Sequence, residues 1–278
     1  MSRPAVDLCV NCYERTYRQV LRPGFFPALL AEHPYPFARR TAIVNNVSDR
    51  EDARLRAEGL REAGELDEWY FVEDHIVRAL ATAGLREADI ARAPHFTDWG
   101  LVLVSVPGPD WVVHCDPEVR MREPVDWIAP AIELMSSDRR LMVANPRWHI
   151  APPLPDTLPG STFERRGDFA IGLGFSDQLF LGRRSELAAP IYSERCLAAW
   201  RYPMVGVTRS FEARVDSWMR HRERLRATFL GATYIHPEEI GGGYSKGRLR
   251  ERAAAFAGRM LIATIQRSPV KRRCWRAL

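Results

Sequence analysis

The chain opens on an alternating apolar stretch over 6–11 (Val-Asp-Leu-Cys-Val-Asn), whose period of two predicts a β-strand. A second strand is predicted over 40–47, and Ser48 or Asp49 stands where an N-cap belongs, ahead of a helical pattern over 50–63. A short strand over 65–72 precedes a helix over 74–83, which Gly84 closes. Two continuous apolar runs, 101–106 and 111–115, are joined by Pro107-Gly108-Pro109-Asp110, turn chemistry that predicts two further strands. Strand, helix, strand, helix, strand is the pattern of an α/β sheet with largely parallel strands.

Farther along, 126–135 reads as a helix and 140–145 as a strand. Five prolines within 146–160 predict a loop or lid. The segment 167–181 reads as a glycine-rich strand running into a helix, with Ser176 as its N-cap. Helices are predicted over 211–229 and 246–266, separated by a stretch containing His236 and Gly241-Gly242-Gly243. The chain has 278 residues, 46% of them hydrophobic, enough to bury a sizeable core in one large domain.

Charge changes the picture little. The formal net charge of +5 is concentrated in the last residues, Lys271 to Arg276, and acidic residues are plentiful elsewhere, so a nucleic-acid footprint is not expected. No N-terminal signal segment and no long charge-free run is seen, which points to a cytoplasmic protein. Five cysteines, odd in number and scattered, argue against a disulfide framework. Cys9 and Cys12 form a C-x-x-C spacing on a strand, where three residues' separation directs them to opposite faces.

In α/β sheets the ligand crevice lies outside the carboxyl ends of the strands. That rule singles out Asn11, Tyr13, Glu14 and Arg15 after the first strand, Asn45, Asn46 and Asp49 after the second, and Asp116 with Glu118 after the strand at 111–115. Two carboxylates one residue apart, with Pro117 stiffening the turn between them, suit a hard divalent cation. The same Asp-Pro-Glu also suits a plain surface turn, and each Asn suits a turn or cap.

This combination resembles the nucleotide-sugar-dependent glycosyltransferases of the GT-A fold, through a strand that ends in an Asp-x-Asp-type motif, here Asp116-Pro117-Glu118 with Glu in the second acid position. The resemblance implies a mixed, largely parallel sheet flanked by helices over about 1–245, divided into a nucleotide-binding half (about 1–120) and an acceptor-facing half (about 121–245), with a C-terminal helix and basic tail over 246–278. It implies Mn²⁺ or Mg²⁺ on the diphosphate of a nucleotide-diphosphate sugar donor, and a carbohydrate or small-molecule acceptor. His236 is then the third metal ligand, and an imidazole favours Mn²⁺. Asp177 is the candidate general base, and Gly242, Gly243 and Lys246 the candidate contacts to the donor phosphates. Asn11, Tyr13, Glu14, Arg15, Asn46 and Asp49 are the candidate nucleotide contacts. Trp148, His149, Arg201 and Tyr202 are candidates for the acceptor pocket.

Two rival classes share the fold. A nucleotidyltransferase would show a glycine-rich basic loop after the first strand, where this chain has Asn11-Cys12-Tyr13-Glu14-Arg15; a noncatalytic sugar-binding protein would not depend on the acidic pair. The C-terminal helix with its basic tail is a candidate for peripheral membrane contact or for simple packing on the domain.

Overall fold

The N-terminal alternation of strands and helices is present in the computed structural model, which describes residues 3–148, 162–196, 198–199, 202 and 208–236. It comprises β1 (Val6–Tyr13), α1 (Tyr17–Val20), α2 (Phe25–Glu32), β2 (Arg39–Asn45), α3 (Arg50–Glu62), β3 (Glu68–Phe71), α4 (Val72–Ala83), α5 (Asp98–Ser105) and β4 (Trp111–Cys115). After these come β5 (Arg120–Met121), α6 (Ile128–Ser137), β6 (Leu141–Trp148), β7 (Thr162–Arg166), β8 (Phe169–Gly172), β9 (Leu179–Arg183), α7 (Arg184–Leu187), α8 (Phe211–His221) and β10 (Leu225–Ile235).

All ten strands join one sheet in the order β3-β2-β1-β4-β9-β6-β10-β8-β7, with β5 paired to β10. The N-terminal strands β3, β2, β1 and β4 run parallel, as do β6 and β10. Pairings of β9 with β4 and β6, of β8 with β10 and β7, and of β5 with β10 are antiparallel. The architecture is therefore a mixed α/β sheet flanked by helices.

Period-two alternation along the strands sorts apolar side chains into two cores. Leu8, Val10, Cys12, Val113 and Cys115 pack with α1, α2, α3 and α6, whereas Cys9, Ile43 and Val112 pack with α4, α5 and α8. Cys9 and Cys12 thus serve opposite cores, and burial raises both thiols well above their ordinary range, as suits packing rather than reactivity. The predicted caps also form. The Asp49 carboxylate accepts from the Asp52 amide at the start of α3, and Gly84 ends α4 with φ 66°.

Three sequence expectations fail, each for a physical reason. The run 101–106 is not a strand but most of α5, whose residues from Asp98 to Val104 are all buried. A helix buried all round has no polar face to reveal a 3.6-residue period. Its close fit is visible at Gly100, where an added Cβ would lie 2.6 Å from the Phe211 ring of α8. The helix expected after Ser176 is instead a loop followed by β9, a strand hydrogen-bonded on both sides by β4 and β6. The helix expected over 211–229 stops at His221, because Glu223 turns left-handed (φ 53°) and the chain re-enters the sheet as β10. No glycine marks that stop, so the sequence carries none of the usual warning.

Candidate metal centre

The chain builds β1, β2 and β3 outward in one direction, then returns to lay β4 on the other flank of β1. Strand order reverses there, and the carboxyl ends of β1 and β4 are where ligand crevices of open α/β sheets form. Asp116 leaves β4 at that end. A turn follows, in which the Val119 amide donates to the Asp116 carbonyl (3.0 Å) and the Glu118 amide donates to Asp116 Oδ1 (2.9 Å). The Arg120 guanidinium donates to the carbonyls of Pro117 (2.9 Å) and Val119 (2.6 Å), and the Asp116 amide donates to the Gln178 carbonyl (2.7 Å). Both carboxylates, half-buried, project from a turn whose backbone is held on every side.

His236 arrives from far along the chain through strand pairing. Met121 lies opposite Tyr234 and Arg120 opposite Ile235, so the antiparallel register carried one step further sets His236 beside Val119, next to Glu118. Its Nε2 lies 3.7 Å from Asp116 Oδ1 and 3.7 Å from Glu118 Oε2, and the ring is only 7% exposed. One donor atom from each of Asp116, Glu118 and His236 lies within 4.8 Å of the other two. An octahedral ion with ligands at about 2.1 Å has donors about 3.0 Å apart in adjacent positions and about 4.2 Å apart in opposite ones. The two separations from His236, 3.7 Å each, fall between these values. Two carboxylates with one imidazole is a donor set that suits Mn²⁺.

Asp177 sits half-buried on the loop between β8 and β9, which is bonded at the residues around it. The Phe175 amide donates to the Tyr202 hydroxyl (3.3 Å), which donates in turn to the Phe175 carbonyl (3.0 Å). Ser176 Oγ meets the Tyr234 hydroxyl at 3.3 Å, and the Gln178 carbonyl takes the Asp116 amide described above. The helix expected to begin at Ser176 is absent, so Asp177 stands on a loop and not in a first helical turn. Its proximity to the acidic turn comes instead from the β4–β9 pairing, in which Cys115 lies opposite Leu179.

On the nucleotide side, Tyr13 ends β1, with Glu14 and Arg15 in the turn beyond it. The Glu14 carboxylate accepts from the Ser48 amide (2.7 Å) and hydroxyl, which hold it below the ordinary carboxylate range and tie the loop after β1 to the loop after β2. Asn11 Oδ1 pairs with His114 Nε2 (2.9 Å), and the His114 ring stacks on Trp99 with centroids 4.5 Å apart. Burial pushes His114 down to about 4, against the opposing pull of the Asp116 carboxylate, so the ring is neutral at neutral pH. Asn46 turns left-handed (φ 50°), and its side-chain amide donates to Asn45 Oδ1 (2.6 Å). The Asn45 amide in turn donates to the buried Asp98 carboxylate (2.9 Å), whose pKa burial raises. Asp49 caps α3, which commits one of its oxygens to the Asp52 amide.

Gly242, Gly243 and Lys246, together with His149 and Arg201, lie outside the described residues, as does the C-terminal tail. Sequence reasoning overlooked His114, Asp98 and Tyr234. His114 is the one polar side chain inside an otherwise apolar β4, a signal that was available; Asp98 was hidden by the misread of α5. No helix among the described residues is long and apolar enough to cross a membrane.

No protein-family model and no curated protein matches the sequence. Among solved structures the chain is similar to a crystal structure of GalNAc-T7 with UDP, GalNAc and Mn²⁺, at 12% identity and a TM-score of 0.46, covering 84% of this chain and 44% of that one. It is also similar to S. aureus TarS, at 10% identity and a TM-score of 0.46 over 83% of this chain and 36% of that one. A shorter TarS structure, residues 1–349, gives 12% identity and a TM-score of 0.46 over 96% and 67%. The chain thus spans less than half the length of the first two.

Proposed function

We propose that the protein is a metal-dependent glycosyltransferase that moves a sugar from a nucleotide-diphosphate sugar to a hydroxyl of a carbohydrate or small-molecule acceptor. The observation that carries this reading is the convergence of Asp116, Glu118 and His236 at the carboxyl end of β4, beside the reversal in strand order. In this reading the three side chains hold Mn²⁺ or Mg²⁺. The cation supplies the positive charge that a departing nucleoside diphosphate requires. Asn11, Tyr13, Glu14, Arg15, Asn46 and Asp49 line the donor side, with Gly242, Gly243 and Lys246 on the phosphates. Asp177 takes the proton of the acceptor hydroxyl, a role that its tethered loop next to the acidic turn supports.

Release of nucleoside diphosphate from a panel of UDP-, GDP- and dTDP-sugars, with and without Mn²⁺, tests the activity. Turnover that requires metal, and that Asp177→Asn lowers by about 10²–10⁴-fold, the usual worth of a general base, is expected. Metal-independent release, or none with any donor, would contradict the reading.

A further inference from the structure

The loop that carries Asp177 is joined once to the turn that carries the acids and once to β10, the strand that leads to His236. One link is backbone to backbone, from the Asp116 amide to the Gln178 carbonyl at 2.7 Å. The other joins side chains, Ser176 Oγ to the Tyr234 hydroxyl at 3.3 Å, and it reaches the opposite wall of the centre, because Tyr234 lies on β10 two residues before His236. His236 stands one residue past the end of β10, and the strand's alternation carried that one step further sets it on the same side as Tyr234. Tyr234 is itself 1% exposed and lies opposite Met121 of β5, in the same two-residue ladder that brings His236 to Glu118. At 3.3 Å the hydroxyl contact is longer than the usual O–H···O distance of about 2.7 Å and has room to shorten.

Resting on the reading above, we propose that Ser176 and Tyr234 are positioning residues that couple the cation centre to the Asp177 loop. A cation that draws His236 toward Asp116 and Glu118 moves the end of β10 against the turn, and the Tyr234 hydroxyl carries that displacement to Ser176, the neighbour of Asp177. Donor-side metal loading would thereby set the orientation of the acceptor-side base. Linkage makes the effect reciprocal: whatever the cation does to the loop, the loop does to cation affinity.

The reciprocal half can be measured without substrate. Mn²⁺ is titrated into the full chain and free Mn²⁺ followed by electron paramagnetic resonance, for the wild type, Ser176→Ala, Tyr234→Phe, the double variant and Ser176→Thr. Each hydroxyl deletion is expected to weaken Mn²⁺ binding about three- to tenfold, the range of one hydrogen bond. The double variant is expected to be no weaker than the worse single one, and Ser176→Thr to stay within about twofold of wild type, since both members of a pair act as a unit. Ser176→Ala changes an exchangeable loop side chain and keeps the experiment decisive if Tyr234→Phe folds poorly. Wild-type affinity in both single variants, or independent additive losses in the double, overturns the coupling while leaving the metal centre standing. No Mn²⁺ binding by the wild type overturns both.

Discussion

The parallel strands β3, β2, β1 and β4 and the late strands β5 to β10 meet in one sheet, yet they are specified differently. In the first group β1, β2 and β3 are each followed directly by a helix, and each strand pairs with one already laid down next to it. In the second group only β7 and β8 pair locally; the rest depends on pairings across long stretches of chain, with β9 entering between β4 and β6 and the two residues of β5 finding β10 more than a hundred positions later. The candidate metal centre straddles this divide. Asp116 and Glu118 come from the end of the first group, and His236 comes from the end of the second. The difference teaches that stability and cation binding should separate when residues are changed on one side or the other.

The sharpest separation is expected at Asp7, fully buried at the start of β1, where its carboxylate takes the Arg39 guanidinium (2.6 Å), the Arg184 guanidinium and the Thr41 hydroxyl (2.8 Å). Asp7→Asn leaves two cations without their counter-charge and should cost about 3–5 kcal/mol in urea unfolding, as broken buried pairs do. Mn²⁺ affinity of the folded fraction should not change. A loss of metal binding equal to that of His236→Ala would erase the distinction between the two regions.

A second effect links them. His33, at the end of α2, accepts a hydrogen bond at Nδ1 from Trp127 Nε1 (3.1 Å), just ahead of α6, and burial lowers its pKa to about 4. The unfolded chain binds this proton near pH 6.5 and the folded one does not until about 4, so the contribution is fully present above about 6.5 and is lost as pH falls through that window. The loss should approach about 3 kcal/mol from this group. Unfolding free energies at neutral pH and near pH 4 check it, with His33→Gln expected to flatten the dependence by about one proton. An unchanged slope in the variant would show that other groups carry it.

The smallest effect belongs to Arg120, whose guanidinium holds the carbonyls of Pro117 and Val119. Arg120→Ala loosens the acidic turn without removing a ligand. Mn²⁺ affinity should fall only about two- to fivefold, within the net worth of one hydrogen bond, with little change in stability. A complete loss would mean that the turn has no preference for its observed shape.

The same divide separates what the sequence reveals from what it hides. β1, β2, α3, α4 and β4 were legible because their apolar runs and periodicities are bounded by turn and cap signals, Asp49 and Gly84 among them. The acidic pair was legible for the same local reason: it stands at the end of an apolar strand. α5 was misread because burial on all sides removes the polar stripe, and β9 because a short buried apolar run, Leu179-Phe180-Leu181, has no periodicity that tells a strand from a helix. β10 was hidden by Glu223, which takes a left-handed turn without a glycine. Asp177 was expected at the start of a helix that does not form, and it lies instead on the loop bonded to Asp116, through a β4–β9 register that no local pattern encodes.

We propose above that the two carboxylates and His236 bind a cation that in turn holds a nucleoside diphosphate. Thermal unfolding with UDP, GDP, dTDP and CDP, each with and without Mn²⁺, tests it most directly, because a ligand at a hundred times its Kd stabilises the folded state by about 2.7 kcal/mol. At least one nucleotide should raise Tm only when Mn²⁺ is present, and Asp116→Ala should abolish that rise. Stabilisation that is independent of Mn²⁺, that survives Asp116→Ala, or that is absent for all four nucleotides would contradict the account.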